Sequence, residues 1–115
     1  MGREGPETRL VRKMRKEGLA RYGTRLVTIK QHGGVFSEVG VSDLLCCLDG
    51  VFLAVEVKAP ESYGGSVELA IERGATVKQH EFIRRIQAAG GVAGVVADLD
   101  GFMALLAQAE EREET

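Results

Sequence analysis

The 115-residue chain carries 15 Lys and Arg against 17 Asp and Glu, a formal charge of -2, and 44% of it is hydrophobic. Folding at this length buries roughly two-thirds of the unfolded surface, so one globular domain over residues 1–115 with its own core is expected, without a linker-joined second domain. No apolar run nears the ~18 residues of a membrane span, and Met1-Gly2-Arg3-Glu4-Gly5-Pro6 lacks the apolar stretch of a signal peptide, so a cytoplasmic protein is expected. Cys46 and Cys47 are adjacent, which strains a disulfide between them and gives no Cys-x-x-Cys pair for zinc.

Pro6 suits the first turn of a helix, and Leu10, Val11 and Met14 continue a 3.6-residue period, predicting a helix over 6–17 that stops at Gly18. Leu26–Lys30 is rich in β-branched residues and predicts a strand, followed by a turn at His32-Gly33-Gly34. Two apolar runs, Asp43–Leu48 and Val51–Lys58, flank Asp49-Gly50. That dipeptide is a strong hairpin signal because both positions of a type I′ turn need φ > 0. The Pro- and Gly-containing stretch Ala59–Ala75 predicts an irregular excursion with a short helix at Val67–Arg73. Thr76-Val77-Lys78-Gln79 has the form of a capping box, opening a helix over 77–89 that ends at Gly90-Gly91. Val92–Ala97 is continuously apolar, as a strand covered on both faces is, and a last helix runs through Phe102, Leu105, Leu106 and Ala109 into an acidic tail at about 110–115. The principal elements follow the order α-β-β-β-α-β-α.

The near-neutral total hides a gradient. Residues 1–30 hold nine basic and three acidic residues, whereas residues 98–115 hold six acidic residues and one Arg. A basic face could meet an anionic polymer despite the acidic total, or two oppositely charged helices could pair within the fold or across a dimer.

With Asp49 and Gly50 as the turn, facing positions sum to 99, and Asp43 lies opposite Glu56. Directly opposed like charges destabilise a sheet unless something compensates, as a divalent cation would. Lys58, two residues beyond Glu56, shares its face, so Asp43, Glu56 and Lys58 form one cluster. An ionised side chain on so apolar a strand costs several kcal/mol (roughly) unless paired or metal-bound, and hard oxygen ligands select Mg²⁺ or Mn²⁺. The alternative is an ordinary cross-strand salt bridge at an exposed strand end. Glu7 is the only charged member of the stripe 7, 10, 11, 14 and points toward the core, unless it serves only the helix dipole. Gln79 closes a capping box, and as the polar start of an inward-facing stripe it can also reach a ligand. Gly40 permits either close backbone approach to a ligand or a bend into the strand. His32 and His80 have no spaced partner, and Cys46 and Cys47 read as strand residues on opposite faces.

The pattern Gly40-Val41-Ser42-Asp43, then Glu56-Val57-Lys58, then Gln79 at a helix start resembles the PD-(D/E)XK nuclease superfamily, and within it the stand-alone VRR-NUC domains of bacteriophages. The match extends from Glu7 through Lys30 and Gly33-Gly34 to Gly90-Gly91. Ser42 stands where that family usually has proline, and the stretch from Lys58 to Gln79 is long. The resemblance implies an α/β fold with a restriction-endonuclease-like core, a mixed central β-sheet flanked by helices. It also implies Mg²⁺- or Mn²⁺-dependent endonucleolytic hydrolysis of DNA phosphodiesters. Asp43, Glu56 and the Val57 carbonyl would be metal ligands, with Glu7 acting through a water. Lys58 would activate water and stabilise phosphate charge, and Gln79 would orient Lys58 or the scissile phosphate. Branched substrates such as flaps or four-way (Holliday) junctions, a homodimer, and the host-cell cytoplasm for a phage-encoded protein follow from the same resemblance. Arg9, Arg12, Lys13 and Lys16 on the outward side of the first helix, with Lys30, would contact DNA phosphates. The rival readings are a non-catalytic DNA-binding or assembly module that retains this fold, and a small interaction protein in which the cluster is a salt bridge.

Overall fold

A computed structural model describes residues 4–32 and 38–113; the expected turn residues Gly33 and Gly34 lie outside them. The elements are α1 (Pro6–Tyr22), β1 (Leu26–Lys30), β2 (Leu44–Leu48), β3 (Val51–Val57), α2 (Val67–Arg73), α3 (Val77–Ala88), β4 (Val92–Val96) and α4 (Leu99–Glu113). The chain order is therefore α-β-β-β-α-α-β-α, one helix more than the expected α-β-β-β-α-β-α. The added element is α2, the short helix expected within the excursion at Val67–Arg73 but left out of the principal order; it is made a full element by its Ser66 cap, whose Oγ accepts from Leu69 N at 3.1 Å, and by the complete burial of Ala70.

The strands form one mixed sheet in the order β1-β2-β3-β4. Strands β1, β2 and β3 are an antiparallel meander, and β4 runs parallel to β3 after the crossover through α2 and α3. The β2–β3 turn is Asp49-Gly50, both at positive φ (52° and 86°), and Leu48 pairs with Val51, Cys47 with Phe52 and Leu44 with Val55. Facing positions sum to 99 as expected. Both strands stop one residue short of the expected ends Asp43 and Lys58. The reason is local: Asp43 Oδ2 accepts the Val57 N–H at 2.9 Å, a side-chain oxygen doing what a ladder carbonyl would do.

Helix α1 runs past the expected stop at Gly18 to Tyr22. Gly18 is a contact residue, since a Cβ there would lie 2.9 Å from Leu26 Cδ2 and 3.2 Å from Phe102 Cε2. The helix ends instead at Gly23, whose φ of 59° glycine adopts without strain. The capping box of α3 is present, and its last helical residue is Ala88.

Helices α1 and α4 cover one face of the sheet, where Met14, Phe102 and Leu106 pack on Leu44, Leu48, Leu53, Val55 and Val57. The other face carries α3, where Ile83 packs on Ala54 and Ala93 with Leu45, Phe82 and Ile86 around them. That cover lies over β3 and β4, so Val27 and Ile29 of β1 remain exposed, as does Phe52 at the hairpin end of β3. Strand β4, expected to be covered on both faces, is covered only in part, with Gly94 and Val95 half-buried. No helix among the described residues is long and apolar enough to cross a membrane.

Candidate active site

One step beyond the Leu44–Val55 pair, the β2–β3 register brings Asp43 opposite Glu56. Glu56 sits near the end of an otherwise apolar strand, is 1% exposed, and lies on the α3 face of the sheet. Its Oε2 receives two donors, the Gln79 Nε2 at 3.1 Å and the Lys58 Nζ at 3.4 Å. Its Oε1 is fully buried with no hydrogen-bond partner among the described residues. Burial first, and then the neighbouring Asp43 carboxylate, push the Glu56 carboxyl up to about 8, and Lys58 only partly offsets them. Two carboxyl groups facing each other across a buried strand pair disfavour double ionisation, so the pair favours a positive charge beside it, a proton or a cation.

Gln79 performs both of the roles its sequence position allows. Its Oε1 accepts the Thr76 N–H at 2.8 Å, closing the capping box, while its Nε2 donates to Glu56. The capping bond fixes the amide orientation, so that the donor end faces the carboxylate. The helix carrying it is in turn clamped to the loop before Asp43. A Cβ on Gly40 (φ 89°) would lie 2.6 Å from the Lys78 carbonyl oxygen, so the close approach Gly40 permits is to the first turn of α3.

Lys58 has a side chain 14% exposed. Its stem passes under the end of α2, where a Cβ on Gly74 would come within 2.6 Å of Lys58 Cγ. The excursion between Lys58 and Gln79 thus covers the lysine. Glu7, in the first turn of α1, reaches the same end of the sheet from the opposite face. Partial burial raises its pKa above the ordinary carboxylate value; Lys58 and Lys30 pull it down and Asp43 pushes it up, so all three lie within electrostatic reach.

The residues fit a hard divalent cation in one specific respect: beside a second, opposed carboxylate, a buried carboxylate oxygen has no donor among the described residues. No group of three or more His, Cys, Asp or Glu side chains able to hold a metal is assembled among the described residues. Asp43 and Glu56 would therefore need neutral oxygen ligands, the Val57 carbonyl and water, to complete a coordination shell. No family model, curated protein sequence or solved structure matches the chain.

The expected DNA-contacting residues divide between two places. Arg12, Lys16 and Lys30 line a cavity of about 410 Å³ on one flank of α1. Arg9 and Lys13 line another on the opposite flank, with Pro60, Glu61 and Asp98. Sequence reading passed over Arg15, which lines the first cavity and is held there by Thr28, Nε to Oγ1 at 2.9 Å. The available signal was the helical stripe Thr8, Arg12, Arg15, Leu19, spaced i, i+4, i+7, i+11 beside the buried stripe. Buried Ser42, whose Oγ also lacks a partner among the described residues, gave no sequence signal beyond its departure from proline. Cys46 is buried and Cys47 exposed, as opposite faces require, and burial pushes the Cys46 thiol up to about 12, far from thiolate chemistry at neutral pH.

Proposed function

We propose that the chain is a metal-dependent DNA endonuclease that hydrolyses phosphodiester bonds, with Asp43, Glu56 and Lys58 at its centre. The observation that carries this reading is the opposed Asp43–Glu56 pair, in which a buried Glu56 oxygen has no donor among the described residues while an ammonium stands on the other oxygen. A fold needs no such arrangement for stability, since apolar residues of similar volume would serve a buried strand at least as well.

Asp43, Glu56 and the Val57 carbonyl would hold the cation. The chemistry supplied there by bound Mg²⁺ or Mn²⁺ is acidification of a water and neutralisation of charge building on the phosphorus centre. Gln79 keeps Glu56 oriented for that task by occupying only its Oε2. The Lys58 ammonium, desolvated under α2, offers hydrogen bonds to a phosphate oxygen or to the attacking water, and in so dry a site they are worth more than in bulk water. Glu7, its pKa raised by partial burial, would serve as the acceptor for a proton from an attacking water. Branched substrates and a homodimer belong to this proposal through the family resemblance.

The test is cleavage of labelled four-way junction, flap, single-stranded and linear duplex DNA in Mg²⁺, Mn²⁺ or EDTA, comparing wild type with Lys58→Ala. We expect metal-dependent cutting that the substitution reduces by about 100-fold or more, the scale of a lost electrostatic stabiliser. Wild-type protein that binds these DNAs and cuts none of them with either metal would overturn the nuclease reading.

A further inference from the structure

The cavity on the α1 flank is dominated by positive charge. Arg12, Arg15, Lys16 and Lys30 line it together with Thr8, and the one acid among them is Glu4. Its floor is the angle between α1 and the edge strand β1, so it is an open groove. Arg15 is pre-positioned by two bonds to Thr28, Nε to Oγ1 at 2.9 Å and Nη2 to the backbone carbonyl at 3.4 Å, leaving the remaining guanidinium donors toward the groove. Arg12 is ion-paired with Glu4, both side chains about half exposed, so that bond is weak and exchangeable. Lys30 belongs to both places: it lines the groove, and it ends β1 opposite Leu44, with the next residue, Gln31, donating its N–H to the Asp43 carbonyl at 2.8 Å. The groove therefore leads into the carboxylate cluster.

We propose that this groove is the track for the sugar-phosphate backbone of the nucleic acid, guiding it past Lys30 to the Asp43–Glu56 pair, with Glu4 as an internal competitor that a phosphate displaces from Arg12. The inference deepens the nuclease reading and rests on it for the identity of the polyanion. Four cations opposed by one carboxylate suit an extended anion with repeated charge. A single small anion would need an enclosed pocket, which an open groove at a sheet edge does not provide. Contacts of this kind position a strand without reading its bases.

The two flanks of α1 supply the test, because Arg12→Gln/Lys16→Gln and Arg9→Gln/Lys13→Gln remove the same charge from the same helix. Binding of a labelled duplex and a labelled four-way junction is measured by fluorescence polarisation in EDTA, where nothing is cut, between about 50 and 200 mM salt. The groove pair should lose about tenfold or more in affinity and flatten the logarithmic salt slope by about two, one per phosphate contact. The opposite pair should lose distinctly less, and Glu4→Gln should tighten binding. The proposal is overturned if wild type has no affinity for DNA, if the groove pair binds as wild type does, if the opposite pair costs as much, or if Glu4→Gln weakens binding. These variants are exposed in side chain and leave Arg15 and its Thr28 bonds intact, so a folding defect is not the expected cause of a loss; thermal melting checks this. Protein that binds with this groove dependence and never cuts leaves the groove standing and removes the nuclease reading. Protein that cuts while the groove pair binds undiminished does the reverse.

Discussion

Glu56 concentrates the free-energy conflict of this molecule in one side chain. Its carboxyl is buried beside a second acid, with one oxygen bonded by Gln79 and Lys58 and the other left without a donor. With a folded pKa of about 8 against an ordinary 4.5, the native state holds this proton more tightly than the unfolded state does. Its contribution to stability is then complete below about pH 4.5 and lost as pH rises through about 8. In EDTA, Glu56→Gln should leave the melting temperature near the wild-type value at pH 5. At pH 8 to 9 it should raise stability by about 1–3 kcal/mol, because the amide is neutral and its NH₂ can donate to Asp43. Thermal melts of both proteins across that range check the sign: a gap that shrinks with rising pH would mean that Glu56 is already ionised in the native state. Mg²⁺ should raise the wild-type melting temperature most at the alkaline end and leave Glu56→Gln nearly unmoved, since a ligand stabilises only the state that binds it.

At the scale of elements, the N-terminus of α3 is both a structural cap and part of the site. Thr76 Oγ1 accepts the Gln79 N–H at 3.1 Å, and the Gln79 side chain returns the bond to the Thr76 N–H while its amide nitrogen reaches Glu56. The two roles separate by substitution. Thr76→Ala should cost about 1 kcal/mol of stability, the usual loss of an N-cap, and leave most cleavage intact. Gln79→Ala should cost a similar amount and also lower cleavage, because Glu56 loses a donor. If cleavage by the two variants falls equally, the Gln79–Glu56 bond has no part in activity. The hairpin was legible from Asp49-Gly50 alone because two consecutive positive φ angles suit few residues, and the register followed from counting. The terminus of α1 was not legible, because a glycine in a helical run marks a stop or a close contact with equal economy. Only Leu26 and Phe102 packing on Gly18 distinguish them.

Across the whole molecule, the site forms where three layers end together. The first turn of α1 brings Glu7 from one face of the sheet, the first turn of α3 brings Gln79 from the other, and β3 brings Glu56 between them. Both helices therefore turn their positive ends toward the place where an anionic substrate would lie. The irregular excursion and α2 complete the enclosure by lying over the Lys58 stem at Gly74. Gly74→Ala should destabilise the fold by about 1–3 kcal/mol through overpacking against Lys58 and the Ala70 carbonyl. It should also reduce cleavage beyond what the lost stability explains; full activity in the folded fraction would show that the Lys58 position tolerates a shift. The charge gradient has a partial resolution within the chain, where Arg25 ties the Asp49 turn to Glu110 of α4.

The sequence by itself determined what depends on local chemistry. The strands, the hairpin and its register, the capping box, and the meeting of Asp43 with Glu56 all follow from turn geometry and the two-residue period of a strand, rules that operate over a few residues. The tertiary structure decided what depends on residues far apart in the chain. It set the donorless Glu56 oxygen, the second bond of Gln79, the shelter of Lys58 under α2, and the division of the basic residues of α1 between two flanks. Burial and pairing are properties of the surroundings, and a side chain acquires them only when elements from distant parts of the chain pack against it.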